Sequence, residues 1–121
     1  MDNKKFRLFN LVGGLVAFAV SAFTYLSTIE PSASFWDCGE FIASSYKLEV
    51  GHPPGNPTFQ LFARIFSMFG KGEGAAVAVN AMNAILSALT ILFLYLTIVW
   101  FAKRLILPRK DEGYSVGQAL A

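Results

Sequence analysis

The sequence predicts an all-α membrane protein in which two transmembrane helices are joined by an outer loop carrying short amphipathic interfacial helices. Three observations predict it. Of 121 residues, 55% are hydrophobic and the mean hydropathy is +0.50, more apolar than the roughly 45–50% usual for soluble domains. The apolar residues gather in two uncharged runs, Leu8 to Ile29 and Ala75 to Ala102. Basic residues flank both runs at the chain ends, Lys4, Lys5 and Arg7 before the first and Lys103, Arg104, Arg109 and Lys110 after the second. A net charge of +2 distributed this way gives no footprint for nucleic acid. The single cysteine, Cys38, excludes an internal disulfide framework.

The first run, at about 1.5 Å per residue, reaches roughly 33 Å, enough for a hydrocarbon core of about 30 Å. Its basic start and the small residues Val20-Ser21-Ala22 also fit a secretory signal loosely, but the apolar stretch continues through Phe23, Tyr25 and Leu26. Gly13, Gly14, Ala17 and Ser21 put small residues on one helical face, as in helices that pack closely; ordinary lipid-facing composition is the other reading. Glu30-Pro31 ends the helix, because the residue before proline is pushed out of the α region.

The loop, residues 30–74, opens with Ser34 or Asp37 as a cap for a helix over about 37–48. Read from Asp37, the pattern D-x-x-E places Glu40 at the third helical position, with Phe41, Ile42, Ser45, Tyr46 and Leu48 along one side. Residues three apart have Cβ atoms about 5–6 Å from each other. Two carboxylates so placed can share a proton, coordinate a divalent metal or deprotonate a hydroxyl. They can equally be capping acids at the positive end of a helix dipole.

Gly51-His52-Pro53-Pro54-Gly55-Asn56-Pro57 is a stiff turn, since proline fixes φ and removes donors while glycine permits unusual dihedrals. Asn56 then caps a helix over about 57–69 that begins at Pro57. In it Gln60, Arg64 and Ser67 form a polar stripe opposite Phe59, Leu61, Phe62, Ile65, Phe66 and Phe69. At about 20 Å this helix is too short to span comfortably. If it crossed, the basic clusters would fall on opposite sides of the membrane, against the tendency of Lys and Arg to stay cytoplasmic. It is therefore expected in the interface, with Arg64 either snorkelling or offering a cation to a phosphate.

The second run measures roughly 42 Å at about 1.5 Å per residue, so it tilts or begins outside the hydrocarbon. Asn80, Asn83, Ala84 and Ala88 form a polar and small-residue face that suggests a partner helix. Tyr95 and Trp100 fit an interfacial belt, and Pro108 stops the helix within a cytoplasmic tail of residues 103–121. The expectation is one membrane unit, 1–121, with both termini cytoplasmic. The sequence holds no repeat, P-loop, CxxC, HExxH or dinucleotide fingerprint.

The stretch PSASFWDCGEFIASSYKLEVGHPPGNPTFQLFARIF resembles the amino-terminal signature of the domain-of-unknown-function-2723 family, bacterial membrane proteins similar to protein O-mannosyltransferases of the GT-C superfamily. The likeness covers about residues 8 to 107 and is most specific in WDCGEF and GHPPGNP. It implies the N-terminal part of a GT-C-like multi-helix fold in a bacterial inner membrane. It also implies a polyprenyl-phosphate sugar donor and a protein or glycan hydroxyl acceptor outside the cytoplasm. By that resemblance Asp37 is the catalytic base and Glu40 supports it. His52 and the Pro53-Pro54 turn would shape the loop or orient the donor phosphate, with Asn56 and Arg64 as further substrate-binding candidates. Protein mannosyltransferases pair Asp directly with Glu; here Cys38 and Gly39 intervene, which leaves the division of labour between Asp37 and Glu40 open. No cofactor is called for beyond the divalent metal the carboxylates could hold. The expected partners are membrane lipid and further transmembrane helices of the same or another chain, without which the fragment is expected to be inactive. The alternative is a non-catalytic hairpin, an assembly subunit or anchor.

Overall fold

The structure, a computed structural model, describes residues 3–53, 55–72 and 74–106. Four helices follow in order: α1 (Asn3–Ser27), α2 (Cys38–Lys47), α3 (Pro57–Ser67) and α4 (Gly74–Ile106). No strand occurs among the described residues. The stretches Lys4–Ser27 and Gly74–Leu105 are long and apolar enough to cross a membrane. Both outer helices run past the apolar runs that predict them, α1 taking in Lys4, Lys5 and Arg7 and α4 taking in Lys103 and Arg104. The physical reason is that charge bars a residue from hydrocarbon but not from a helix, and long basic side chains reach back to the interface. Pro108, Arg109 and Lys110 lie outside the described residues.

The chain divides into two compact units. One comprises the described residues of Met1–Ser21 and Leu89–Ala121. Within it the small face of α1 meets α4 side chains. A Cβ at Gly13 would collide with the hydroxyl of Tyr95, and one at Gly14 would come within 3.0 Å of Leu92 Cδ1. Glycine is what lets these side chains lie flat on α1. At the basic end Lys103 Nζ sits 5.0 Å from the Phe6 ring centre and Arg104 lies 5.2 Å over Trp100, placing cations on aromatic faces.

The other unit is Ala22–Ala88. Its core is Ala63, Val79 and Met82, joined by Ile42, Phe59 and Phe66, so α2 and α3 both rest on the first half of α4. The polar stripe of α3 is spent inside the protein. Gln60 Nε2 donates to Ser44 Oγ at 3.2 Å, Arg64 donates to the Tyr46 carbonyl, and the buried Ser67 donates to the Arg64 carbonyl at 2.8 Å. Leu61, Phe62, Ile65, Met68 and Phe69 are left exposed. An exposed apolar face opposite a satisfied polar one suits contact with lipid, where hydroxyl and guanidinium groups need protein partners.

Part of the Asn80 face is met by groups of this chain, while Asn83 stays exposed. Asn80 Nδ2 donates to the carbonyls of Glu30 at 2.8 Å and Ser32 at 3.0 Å, tying the segment that leaves α1 to α4. Ala84 and Ala88 are already buried within this chain.

Candidate functional site

The site is built at the N-terminus of α2. Trp36 adopts a left-handed φ of 64°, uncommon for a bulky residue and of the kind that concentrates where geometry serves function. It turns the chain so that Asp37 takes the N-cap position, where its carbonyl accepts the Phe41 N–H at 3.0 Å. The Asp37 carboxylate makes no capping hydrogen bond. The capping-box expectation thus holds for position and fails for bonding, because Glu40, in the first turn, reaches away from the cap.

Glu40 reaches the proline turn. Its Oε1 accepts the backbone N–H of His52 at 2.8 Å, and its Oε2 lies 2.8 Å from His52 Nδ1. Gly51 makes the approach feasible: a Cβ there would stand 3.3 Å from Glu40 Oε1 and 3.2 Å from Gln60 Nε2. The turn closes with Gly55 N–H donating to the His52 carbonyl at 2.9 Å, at a φ of 74° that glycine adopts freely. Asn56 caps α3 as expected, Oδ1 accepting from Phe59 N–H at 3.3 Å, with Pro57 next.

The charges answer to this geometry. Glu40 is held below the usual 4.5, chiefly by the His52 backbone N–H and then by the ring. His52 is raised above 6.5, first by its hydrogen bond to Glu40, then by that charge, with a smaller push from Asp37. One ligand atom each of Asp37, Glu40 and His52 all lie within 4.8 Å of one another. A half-buried carboxylate beside a hydrogen-bonded carboxylate–histidine pair can accept a proton from a hydroxyl. The same donor set fits a divalent cation, provided His52 gives up the proton it shares with Glu40.

Arg64 does not join this cluster. Its guanidinium donates to the Tyr46 carbonyl and lies 5.7 Å from the Tyr46 ring centre. Tyr46 is roughly 13 Å along α2 from Asp37, at about 1.5 Å per residue.

Beside the cluster lies a cleft of about 270 Å³. Phe41, Ile42, Phe59 and Val79 form its apolar walls, and Cys38, Asn56, Asn80 and Asn83 supply its polar groups. Sequence reasoning did not bring these residues together; the Cys38 thiol is half-buried on the cleft. The Glu40–His52 pairing was missed as well. Its one available signal was the only histidine placed directly before two prolines.

Residues 37–121 match the family described as the protein O-mannosyl-transferase TMEM260 N-terminal domain, a match that begins at Asp37. The protein O-mannosyl-transferase tmem260 of Dictyostelium discoideum is 34% identical over 76 residues, 61% of this chain and 9% of that protein. Its counterpart from Mus musculus is 33% identical over 89 residues, 73% of this chain and 12% of that protein. The chain therefore spans about a tenth of the length of these curated relatives. No solved structure matches it. Because the family match takes in the acidic pair, the proline turn, α3 and α4, the chain belongs to the protein O-mannosyl-transferase TMEM260 N-terminal domain family.

Proposed function

We propose that the chain is the N-terminal part of a membrane O-mannosyltransferase, of the GT-C type. It would move a sugar from a polyprenyl-phosphate donor to a hydroxyl of a protein or glycan acceptor. In this reading residues 30–74 face the extracytoplasmic side, both termini are cytoplasmic, and further transmembrane helices complete the enzyme. The likeness of WDCGEF and GHPPGNP to the domain-of-unknown-function-2723 proteins favours a bacterial inner membrane as its setting. The observation that carries the reading is the meeting of Asp37, Glu40 and His52 within 4.8 Å, in a chain otherwise built for lipid.

Asp37 is the base and Glu40 the positioning residue. Both Glu40 oxygens are engaged by His52, whereas the Asp37 carboxylate is not used as a cap. Asp37 takes the acceptor proton as the new C–O bond forms at the anomeric carbon and the sugar–phosphate bond breaks, releasing polyprenyl phosphate. The Glu40–His52 clasp fixes the turn beside that carboxylate. A divalent cation would be held by Asp37, Glu40 and His52, where it would supply charge stabilisation for the leaving phosphate. The test is transfer from polyprenyl-phosphate mannose by the full-length protein and its Asp37→Asn variant: loss of transfer with insertion and folding intact supports the reading, and near-normal turnover refutes it.

A further inference from the structure

We infer that the cleft between α2, α3 and the first half of α4 receives the neutral sugar ring of the donor, an inference that rests on the reading of the chain as part of a sugar transferase. No charged side chain is among the residues lining the cleft, so it offers nothing to a phosphate, which takes cations or clustered N–H groups. Its walls, Phe41, Ile42, Phe59 and Val79, suit the C–H faces of a pyranose. Its amides, Asn56, Asn80 and Asn83, each donate and accept, as sugar hydroxyls do.

Two of these amides are oriented in advance. Asn56 spends Oδ1 on the cap of α3, and Asn80 spends Nδ2 on the carbonyls of Glu30 and Ser32. That leaves a fixed donor, Asn56 Nδ2, and a fixed acceptor, Asn80 Oδ1. An isoprenoid segment would strip water from three amides and return no hydrogen bonds, a cost a polyol does not incur. At about 270 Å³ the cleft falls below the roughly 300–1,000 Å³ of pockets for drug-sized ligands, a size for a single ring. It also adjoins the base, for Cys38 and Phe41 on its lining directly follow Asp37 and Glu40 in the chain.

Cys38 supplies the probe. In the full-length protein, the rate of Cys38 modification by N-ethylmaleimide is followed by peptide mass spectrometry with polyprenyl-phosphate mannose, with polyprenyl phosphate, and with neither, while transfer is assayed in parallel. The mannose-bearing donor should slow modification several-fold and the sugarless lipid should leave it unchanged. Asn83→Leu should shift the donor concentration needed for the slowing, and the donor KM with it, upward by roughly 3- to 10-fold, the scale of one lost hydrogen bond. Equal slowing by the sugarless lipid, or none by the donor at saturation, overturns the inference. Intact transfer with Cys38 unprotected refutes the cleft alone; protection without transfer to any acceptor refutes the transferase reading alone.

Discussion

Glu40 grips His52 twice, Oε1 on the backbone N–H and Oε2 beside ring Nδ1, both at 2.8 Å. The ion pair exists only with His52 protonated and Glu40 ionised. Because the His52 pKa is raised, its contribution is complete below about pH 6.5 and is lost as pH climbs through the raised value. Because that of Glu40 is lowered, its contribution is present above about pH 4.5 and is lost as pH falls through the lowered value. The clasp is therefore fullest between those two pH values and loosens above the raised His52 value and below the lowered Glu40 value. Ring NMR of the only histidine in this chain should give a midpoint above 6.5 that Glu40→Gln moves back down; a midpoint indifferent to that change contradicts the pairing.

Asp37→Asn keeps the N-cap shape and removes the carboxylate proposed as the base. General-base assistance is worth roughly 10²–10⁴-fold, so transfer by the full-length protein should fall by that much. Since the Asp37 side chain makes no capping bond, stability should change by only a few tenths of a kcal/mol. Glu40→Gln, which retains an acceptor for the His52 N–H, should cost less. Near-normal turnover in both variants would remove the catalytic assignment, and loss of activity on chelation would add a cation to it.

Arg64→Gln separates two roles. The half-buried guanidinium donates to the Tyr46 carbonyl and ties α3 to α2, and losing this partly exposed charged hydrogen bond should cost about 1 kcal/mol. Thermal unfolding should therefore fall by a few degrees while the donor KM holds. A raised KM with unchanged thermal stability would instead make Arg64 a phosphate ligand.

Gly13→Ala forces a methyl onto the Tyr95 hydroxyl, with the ring Cζ at 3.0 Å. Overpacking of about 1–3 kcal/mol outweighs the roughly 1 kcal/mol that alanine adds to helix propensity. The variant should be less stable in detergent, and Tyr95→Phe should rescue it. Independent, additive effects of the two changes would show that Gly13 and Tyr95 do not meet.

Val50 is 95% exposed in the loop before the proline turn, which makes it the natural reporter of sidedness. With Cys38→Ser as background, Val50→Cys should react with an impermeant maleimide on intact cells. Reaction only after lysis would reverse the proposed orientation.

Hydropathy, proline and capping residues determined the two long helices, a break ahead of Pro31 and the Asn56-Pro57 start of α3, because each depends on residues within a turn or two of one another; α1 itself stops at Ser27, three residues before the Glu30 that was expected to end it. That Asp37 and Glu40 share a helical face was readable on the same local basis. What Glu40 does with its carboxylate was not, since His52 lies 12 residues on and no helical period links them. Nor could periodicity assign Asn80 to carbonyls 48 and 50 residues away, or turn Gln60 and Arg64 toward α2. Sequence patterns encode the spacing at which a helix brings neighbours together; which polar group meets which across elements is decided by how closely they can approach, as where Gly51 leaves room for Glu40 Oε1 and Gln60 Nε2, and that appears only in three dimensions.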